Sequence, residues 1–328
     1  MSAAPVPVVA GRSDVSVAEV GELGRRLCAQ VGSVVLGKEP VIGLAVAALV
    51  SGGHLLFEDH PGVGKTMLAK ALAASVGGSV GRIQGNADLL PSDITGFSVY
   101  HPSTDEWVFR AGPVFNNIVL FDELNRATPR AQAALLEAMA ERQASVDGVV
   151  RPLPQPFVVI ATQNPVTDIG TFPLVPGQRD RFAVQLSLGL PGPEVERAVM
   201  FGQGGEGALA AIGPVAGLGY LAQAPAALDA VHVDGALADY ILELVAATRA
   251  HPMVAVGVSP RASKVLVQMS RALAAMGNRT YVVPDDIQLA AGPALAHRLE
   301  LHGGAASATA WAIVQEIIAR TPVPTNMG

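Results

Sequence analysis

The sequence predicts an α/β fold, an αβα phosphate-loop core with inserted β-hairpins followed by a smaller α-helical domain, and three observations carry that prediction. Asp59-His60-Pro61-Gly62-Val63-Gly64-Lys65-Thr66 lies between a short apolar run, His54 to Glu58, and an alanine-rich helical pattern, Met67 to Val76, that ends at Gly77-Gly78. Asn117 to Phe121 and Phe157 to Ala161 are continuous apolar runs, the pattern of strands covered on both faces, and each ends in polar residues. From Asp234 onward the spacing is helical, with runs at 236–249, 260–276, 287–300 and 308–320.

The elements follow in chain order. Residues 1–14 are small, polar and proline-bearing and are expected to be disordered. Val15 to Val31 reads as an amphipathic helix, and a second helical run reaches Ala47-Ala48-Leu49, a brace ahead of the phosphate loop. Val80 to Gln84 is a strand. Phe97 to Tyr100 and Trp107 to Phe109, joined by His101-Pro102-Ser103-Thr104-Asp105, predict a hairpin inserted in the core, with its aromatics expected to pack under it rather than form a contact surface. Thr128-Pro129 starts a helix as N-cap and first residue, and Asp147-Gly148 marks a second hairpin. The domains are therefore expected at 15–190 for the nucleotide-binding core, 191–230 for a Gly/Ala/Pro-rich linker with a short helix, and 231–328 for the helical unit.

Composition bounds the function. The chain of 328 residues suffices for two domains, and 50% hydrophobic residues supply their cores. A formal net charge of -6 offers no general basic field, so no nucleic-acid partner is expected. The single Cys28 excludes an internal disulfide and a multi-cysteine metal site, and no charged leader precedes an apolar segment; a cytoplasmic location is expected. The charge-poor stretches 41–57 and 207–228 are broken by Ser51-Gly52-Gly53 and by Pro214 and Pro225, so neither is expected to span a membrane.

The order strand, glycine loop, helix is what binding a polyphosphate requires. Gly62 and Gly64 let backbone N–H groups approach without a Cβ in the way, and the helix N-terminus favours the negative charge. Pro61, Gly62, Val63, Gly64, Lys65, Thr66 and Met67 form the candidate ATP site, with Lys65 reaching the β/γ-phosphates and Thr66 holding Mg²⁺. The glycine that opens G-x-x-x-x-G-K-[ST] is Asp59 here, whose carboxylate adds negative charge near a polyanion. Asp122-Glu123 ends a buried strand, which places Asp122 as a Mg²⁺ ligand through water and Glu123 as the group that polarises the attacking water. Asn164 ends the next such strand, where its amide can orient that water. Arg179 and Arg181 precede an alternating strand, and phosphoryl transfer gains about 10³ to 10⁵ in rate from a guanidinium supplied by a neighbour.

These motifs together resemble the MoxR family of AAA+ ATPases over residues 30–300. The resemblance is carried by His60 to Thr66, Arg82-Ile83-Gln84, Asp88 to Gly96, Gly112-Pro113-Val114-Phe115 and Asp122 to Ala127. It continues through Ala134 to Met139, Ala161 to Pro165, Asp180-Arg181-Phe182 and Ser259-Pro260-Arg261-Ala262. It implies an ATP site between the αβα domain and a helical lid, in rings that are typically hexamers with sites at subunit interfaces. It makes Asn164 the first sensor, Arg181 the arginine finger acting on the neighbouring subunit, and Arg261 a second sensor reporting from the lid in cis, with Arg179 and Arg126 as further interface candidates. Val175-Pro176-Gly177-Gln178-Arg179 departs from the family's Pro-Glu-Ala-Gln-Leu and leaves two arginines competing for the finger role.

The function this implies is ATP hydrolysis coupled to maturation or activation of a client protein. The expected partners are further copies of the chain and a protein bearing a von Willebrand factor A domain, whose metal-dependent adhesion site accepts a carboxylate. The alternatives are an ATP-dependent assembly switch with little turnover, which Asp59 favours, and a metal-chelatase-like motor subunit, which rests on shared inserts alone.

Overall fold

A computed structural model describes residues 14–165, 170–304 and 307–324. Residues 1–13 of the expected disordered N-terminus lie outside the described residues. The chain enters through α1 (Val17–Val34), whose start is fixed by reciprocal bonds: Glu19 N–H donates to Ser16 Oγ at 3.3 Å and Ser16 N–H donates to Glu19 Oε2 at 2.8 Å. Next come α2 (Glu39–Val50), β1 (Leu55–Glu58), α3 (Lys65–Val76) and β2 (Val80–Gln84). After α4 (Pro91–Thr95) the inserted hairpin forms from β3 (Gly96–His101) and β4 (Glu106–Ala111). Then follow β5 (Ile118–Asp122), α5 (Pro129–Glu141), β6 (Gln143–Val146), β7 (Val149–Pro152), β8 (Val158–Gln163), α6 (Pro176–Arg179) and β9 (Val184–Leu186).

Five strands make one parallel sheet in the order β2-β5-β8-β1-β9. Its three central strands, β5, β8 and β1, read as apolar runs because alternate residues enter different cores. Leu55 and Phe57, Ile118 and Leu120, and Val158 and Ile160 belong to the larger cluster with α1, α2, α3 and the C-terminal helices. Leu56, Val119, Phe121, Val159 and Ala161 belong to a second cluster with Leu135, Leu136 and Met139 of α5. Thr128 caps α5 by accepting Ala131 N–H at 3.3 Å, a bond of the kind worth about 1 kcal/mol, and Pro129 opens the helix.

At the second hairpin, Asp147 and Gly148 both take positive φ, 53° and 75°, the two-residue turn that matches strand twist. The first hairpin meets only part of its expectation. Phe109 packs edge-on against Phe115 and under the Arg151 guanidinium of β7, but Trp107 is 72% exposed and Phe97 and Tyr100 also face out.

The segment 191–230, expected as a linker with one short helix, carries three: α7 (Pro193–Met200), α8 (Gly205–Ala211) and α9 (Leu218–Leu228). Its apolar residues explain the difference, since Leu221, Ala224, Ala227 and Leu228 of α9 join the larger core. Beyond it lie α10 (Gly235–Ala250), β10 (Val254–Val256), α11 (Pro260–Met276), α12 (Pro284–Leu295), β11 (Glu300–Leu301) and α13 (Ser307–Arg320). The α11 helix docks closely on α1: a Cβ at Gly21 would lie 2.2 Å from the Ala275 carbonyl oxygen, so only glycine allows that approach.

Candidate active site

The carboxyl ends of three neighbouring strands converge, the place where open parallel sheets bind ligands. The phosphate loop follows β1, Asp122 and Glu123 close β5, and Asn164 follows β8. Gly62 and Gly64 take φ of 86° and 99°, left-handed values that side chains rarely adopt, and a Cβ at Gly62 would meet no heavy atom within 4 Å. The loop is therefore open where a phosphate would lie. Pro61 is exposed, while Val63 and Met67 pack partly on the larger core and anchor the loop.

Lys65 is buried and folded back: its Nζ donates to the Asp59 carbonyl, to His60 O at 2.9 Å and to Asn164 Oδ1 at 3.1 Å. Thr66 Oγ1 donates to Asp122 Oδ1 at 3.0 Å, so the two expected Mg²⁺ oxygens meet. Arg82 donates to Asp122 Oδ2 from Nε at 3.2 Å and Nη2 at 3.1 Å. Glu123 takes a left-handed backbone, φ 54°, and its Oε2 accepts Gln84 Nε2 at 3.0 Å with Arg126 Nε at 3.5 Å. Arg126, an interface candidate from the sequence, thus faces the carboxylate of its own chain. Asn164 is held from behind, its carbonyl accepting Asn125 Nδ2 at 2.9 Å.

Asp59 directs its carboxylate away from the loop interior. Oδ2 accepts Ser187 Oγ at 2.8 Å and Gly189 N–H at 2.6 Å, while Oδ1 accepts His60 N–H at 2.8 Å. Burial raises the carboxyl's pKa, but these hydrogen bonds and Lys65 outweigh it, and the net position lies below the ordinary value.

The residues fit ATP and Mg²⁺. The loop offers N–H donors at the start of α3, and Lys65 the charge, for the phosphates. Among the described residues no group of three or more His, Cys, Asp or Glu side chains could hold a metal by itself. Thr66 and Asp122 give the small oxygen share that a protein contributes to Mg²⁺ when phosphate and water complete the shell.

The arginines lie at the other end of the sheet. Arg181 and Arg261 line a cavity of about 240 Å³ with Asp180, Lys264, Arg298 and His54. His54 immediately precedes β1 and Arg181 precedes β9, whereas the phosphate loop follows β1, so the strand separates the two regions by its length, about 13 Å. The helical domain docks on α1 and α2 and places Arg261, expected from the resemblance to read the nucleotide of its own chain, beside Arg181 at the amino end of the strands. Arg179 and Arg181 part company. Arg179 is drawn inward, where burial lowers its pKa against the pull of Glu300 and Glu58.

Two residues at these sites went unread in the sequence. Arg298 is buried in the core domain's 180–183 turn, where it pairs with Asp180 at 2.8 Å. Asn125 links the β5 and β8 ends through Asn164. The only sequence signal for either was its place inside a matched motif or beside a helix end. No helix among the described residues is long and apolar enough to cross a membrane.

A parallel sheet with a glycine loop, paired acidic residues and a docked helical domain defines a P-loop ATPase of the AAA+ class. The ATPase family associated with various cellular activities matches residues 54–184, and the AAA lid domain matches residues 246–317. The chain is 44% identical to the Bacillus subtilis protein YeaC, covering 90% of this chain and 93% of that one. It is 38% identical to Chaperone MoxR1 of Mycobacterium tuberculosis, over 89% of this chain and 79% of the relative. The crystal structure of an ATPase candidate from Cytophaga hutchinsonii superposes with a TM-score of 0.82 at 31% identity, covering 94% and 97% of the two chains. The chain belongs to the MoxR family of AAA+ ATPases.

Proposed function

We propose that this protein hydrolyses ATP as a ring of identical chains and couples that hydrolysis to the maturation or activation of a client protein.

 The observation that carries this is the placement of Arg181 and Arg261 together, at the sheet end remote from their own phosphate loop. Guanidinium groups so placed serve a nucleotide bound to the adjacent copy when chains associate head to tail, the arrangement that closes into rings. Both therefore act in trans, and the exposure of Arg181 to the cavity favours it over the inward Arg179 as the finger.

Within one chain the roles divide by position. The N–H groups of 62–66 and Lys65 would bind the phosphates, Thr66 and Asp122 would hold Mg²⁺, Glu123 would polarise the attacking water and Asn164 would orient it. Bound there, Mg²⁺ would neutralise negative charge on the phosphates. Lys65 is poised to leave the carbonyls of Asp59 and His60, and Glu123 to leave Gln84, as the site fills. A hexamer and a von Willebrand factor A domain partner rest on the family resemblance, and the chaperone named among the relatives supports a protein client. A cytoplasmic location fits the single thiol, Cys28, whose burial pushes its pKa up to about 11 and keeps it unreactive.

The test is steady-state ATP turnover over a wide protein concentration range with the wild type, Lys65→Ala and Arg181→Ala. Turnover rising more steeply than concentration, and abolished in both variants, is the expected result. Strictly linear turnover that survives Arg181→Ala would overturn the trans site. ATP binding and assembly without turnover would instead favour the switch reading, for which the tied-off Lys65 and Glu123 are the supporting observation.

A further inference from the structure

Arg298 follows α12 and reaches out of the helical domain with a side chain only 2% exposed. Its guanidinium closes on the turn that carries Arg181. Nε donates to Asp180 Oδ1 at 2.8 Å, Nη2 to Phe182 O at 2.7 Å and Asp180 O at 3.3 Å, and Nη1 to Ala183 O at 3.1 Å and to the Ala294 carbonyl of its own helix. The carbonyls on both sides of Arg181 are thereby fixed by one planar fork, a geometry an ammonium cannot reproduce. The neighbouring His297 adds an Nε2 contact to Phe182 O at 3.1 Å.

Asp180 carries the same connection onward. Its carboxylate accepts Ser259 Oγ at 3.3 Å, from the residue just before α11, and its Oδ2 lies 3.8 Å from Arg261 Nη1. One carboxylate therefore joins the anchor Arg298, the start of α11 and Arg261, and it is adjacent in the chain to Arg181.

We propose that Arg298 and Asp180 are positioning residues that clamp the finger turn to the helical domain, so that Arg181 and Arg261 move as one unit and engage the neighbouring copy's nucleotide together. This rests on the trans-site reading above. Neither residue touches the nucleotide of its own chain, and their effect falls on the neighbour's turnover. The clamp also makes the helical domain's position the variable that sets where the finger points.

The experiment uses the full chain with Arg298→Met, Arg298→Lys and, as reference, Arg181→Ala. Each is measured for thermal midpoint, for affinity toward a fluorescent ATP analogue, and for kcat and KM. Each is then mixed with an excess of Glu123→Gln chains, whose own site is inactive but whose arginines are intact. Expected is a kcat lower by about 10²-fold, the scale of a small misplacement of a catalytic group, with analogue affinity within about twofold of wild type. Turnover per variant chain should return on mixing, because its intact site then faces an intact arginine pair. Arg298→Lys keeps the buried charge and tests the fork alone; it should fold normally and still lose kcat.

If Arg181→Ala is not restored by Glu123→Gln chains, the trans-site reading fails. If Arg181→Ala is restored while the Arg298 variants turn over normally, or lose analogue affinity in parallel with kcat and gain nothing on mixing, the clamp is overturned.

Discussion

Asp59 and Gly189 are joined by a 2.6 Å hydrogen bond, the Gly189 N–H donating to Asp59 Oδ2, and this ties the phosphate loop to the segment that follows β9. The charge that the sequence places beside a polyanion is thus spent on donors of the 187–189 segment and on His60. Asp59→Ala leaves those donors without their acceptor and is expected to destabilise the protein by about 1–3 kcal/mol, with weaker ATP binding as the loop loosens. Thermal melting with and without nucleotide measures both. An unchanged midpoint would remove the strut role.

Glu123 is held by Gln84, and a carboxylate engaged by an amide and by Arg126 is a poorer partner for water. Gln84→Ala is expected to raise basal turnover severalfold, while Glu123→Gln should bind ATP, accumulate oligomer and lose turnover by about 10²-fold or more. Steady-state kinetics and size-exclusion chromatography read these outcomes. Normal turnover in Glu123→Gln would remove its assigned role.

Lys65 and Arg181 should separate binding from hydrolysis. Lys65→Ala abolishes nucleotide binding in its own chain. Arg181→Ala leaves binding intact and lowers turnover by about 10³-fold or more. Equilibrium binding of an ATP analogue beside turnover distinguishes them, and loss of binding in Arg181→Ala would argue for a role in its own chain's site.

His54 supplies a pH dependence. It is buried, with Nδ1 accepting Val159 N–H at 3.0 Å, and burial, then the charge of Arg142, push its pKa down to about 4, a backbone hydrogen bond to Met139 partly opposing them. Between pH 6.5 and 4 the unfolded chain takes up a proton there that the folded chain refuses. Stability from this group is therefore complete above pH 6.5 and falls as pH drops to about 4, by about 3 kcal/mol in all. His297, depressed mainly by burial, acts in the same direction. A melting series from pH 7.5 to 4.5 should show a shallower slope in His54→Asn than in the wild type; identical slopes would exclude the linkage.

The local pieces of the fold were legible in the residues alone. Val80–Gln84 and Pro260–Met276 coincide with β2 and α11, because their signals lie within the segment: alternation, a proline at the helix start, a glycine at its end. The phosphate loop and the two buried strands were legible for the same reason, and parallel strands of that kind bring Lys65, Asp122, Glu123 and Asn164 to one edge. Where the helical domain docks was set instead by long-range packing. Gly21 against Ala275 and Arg298 in the 180–183 turn connect residues far apart in the chain, and no local pattern encodes such contacts. That docking sets Arg261 beside Arg181 and away from its own phosphate loop, while Asp59 turns toward Ser187 and Gly189, which follow β9. Side-chain chemistry was readable from residue identity; which site each charge serves depended on packing between distant segments.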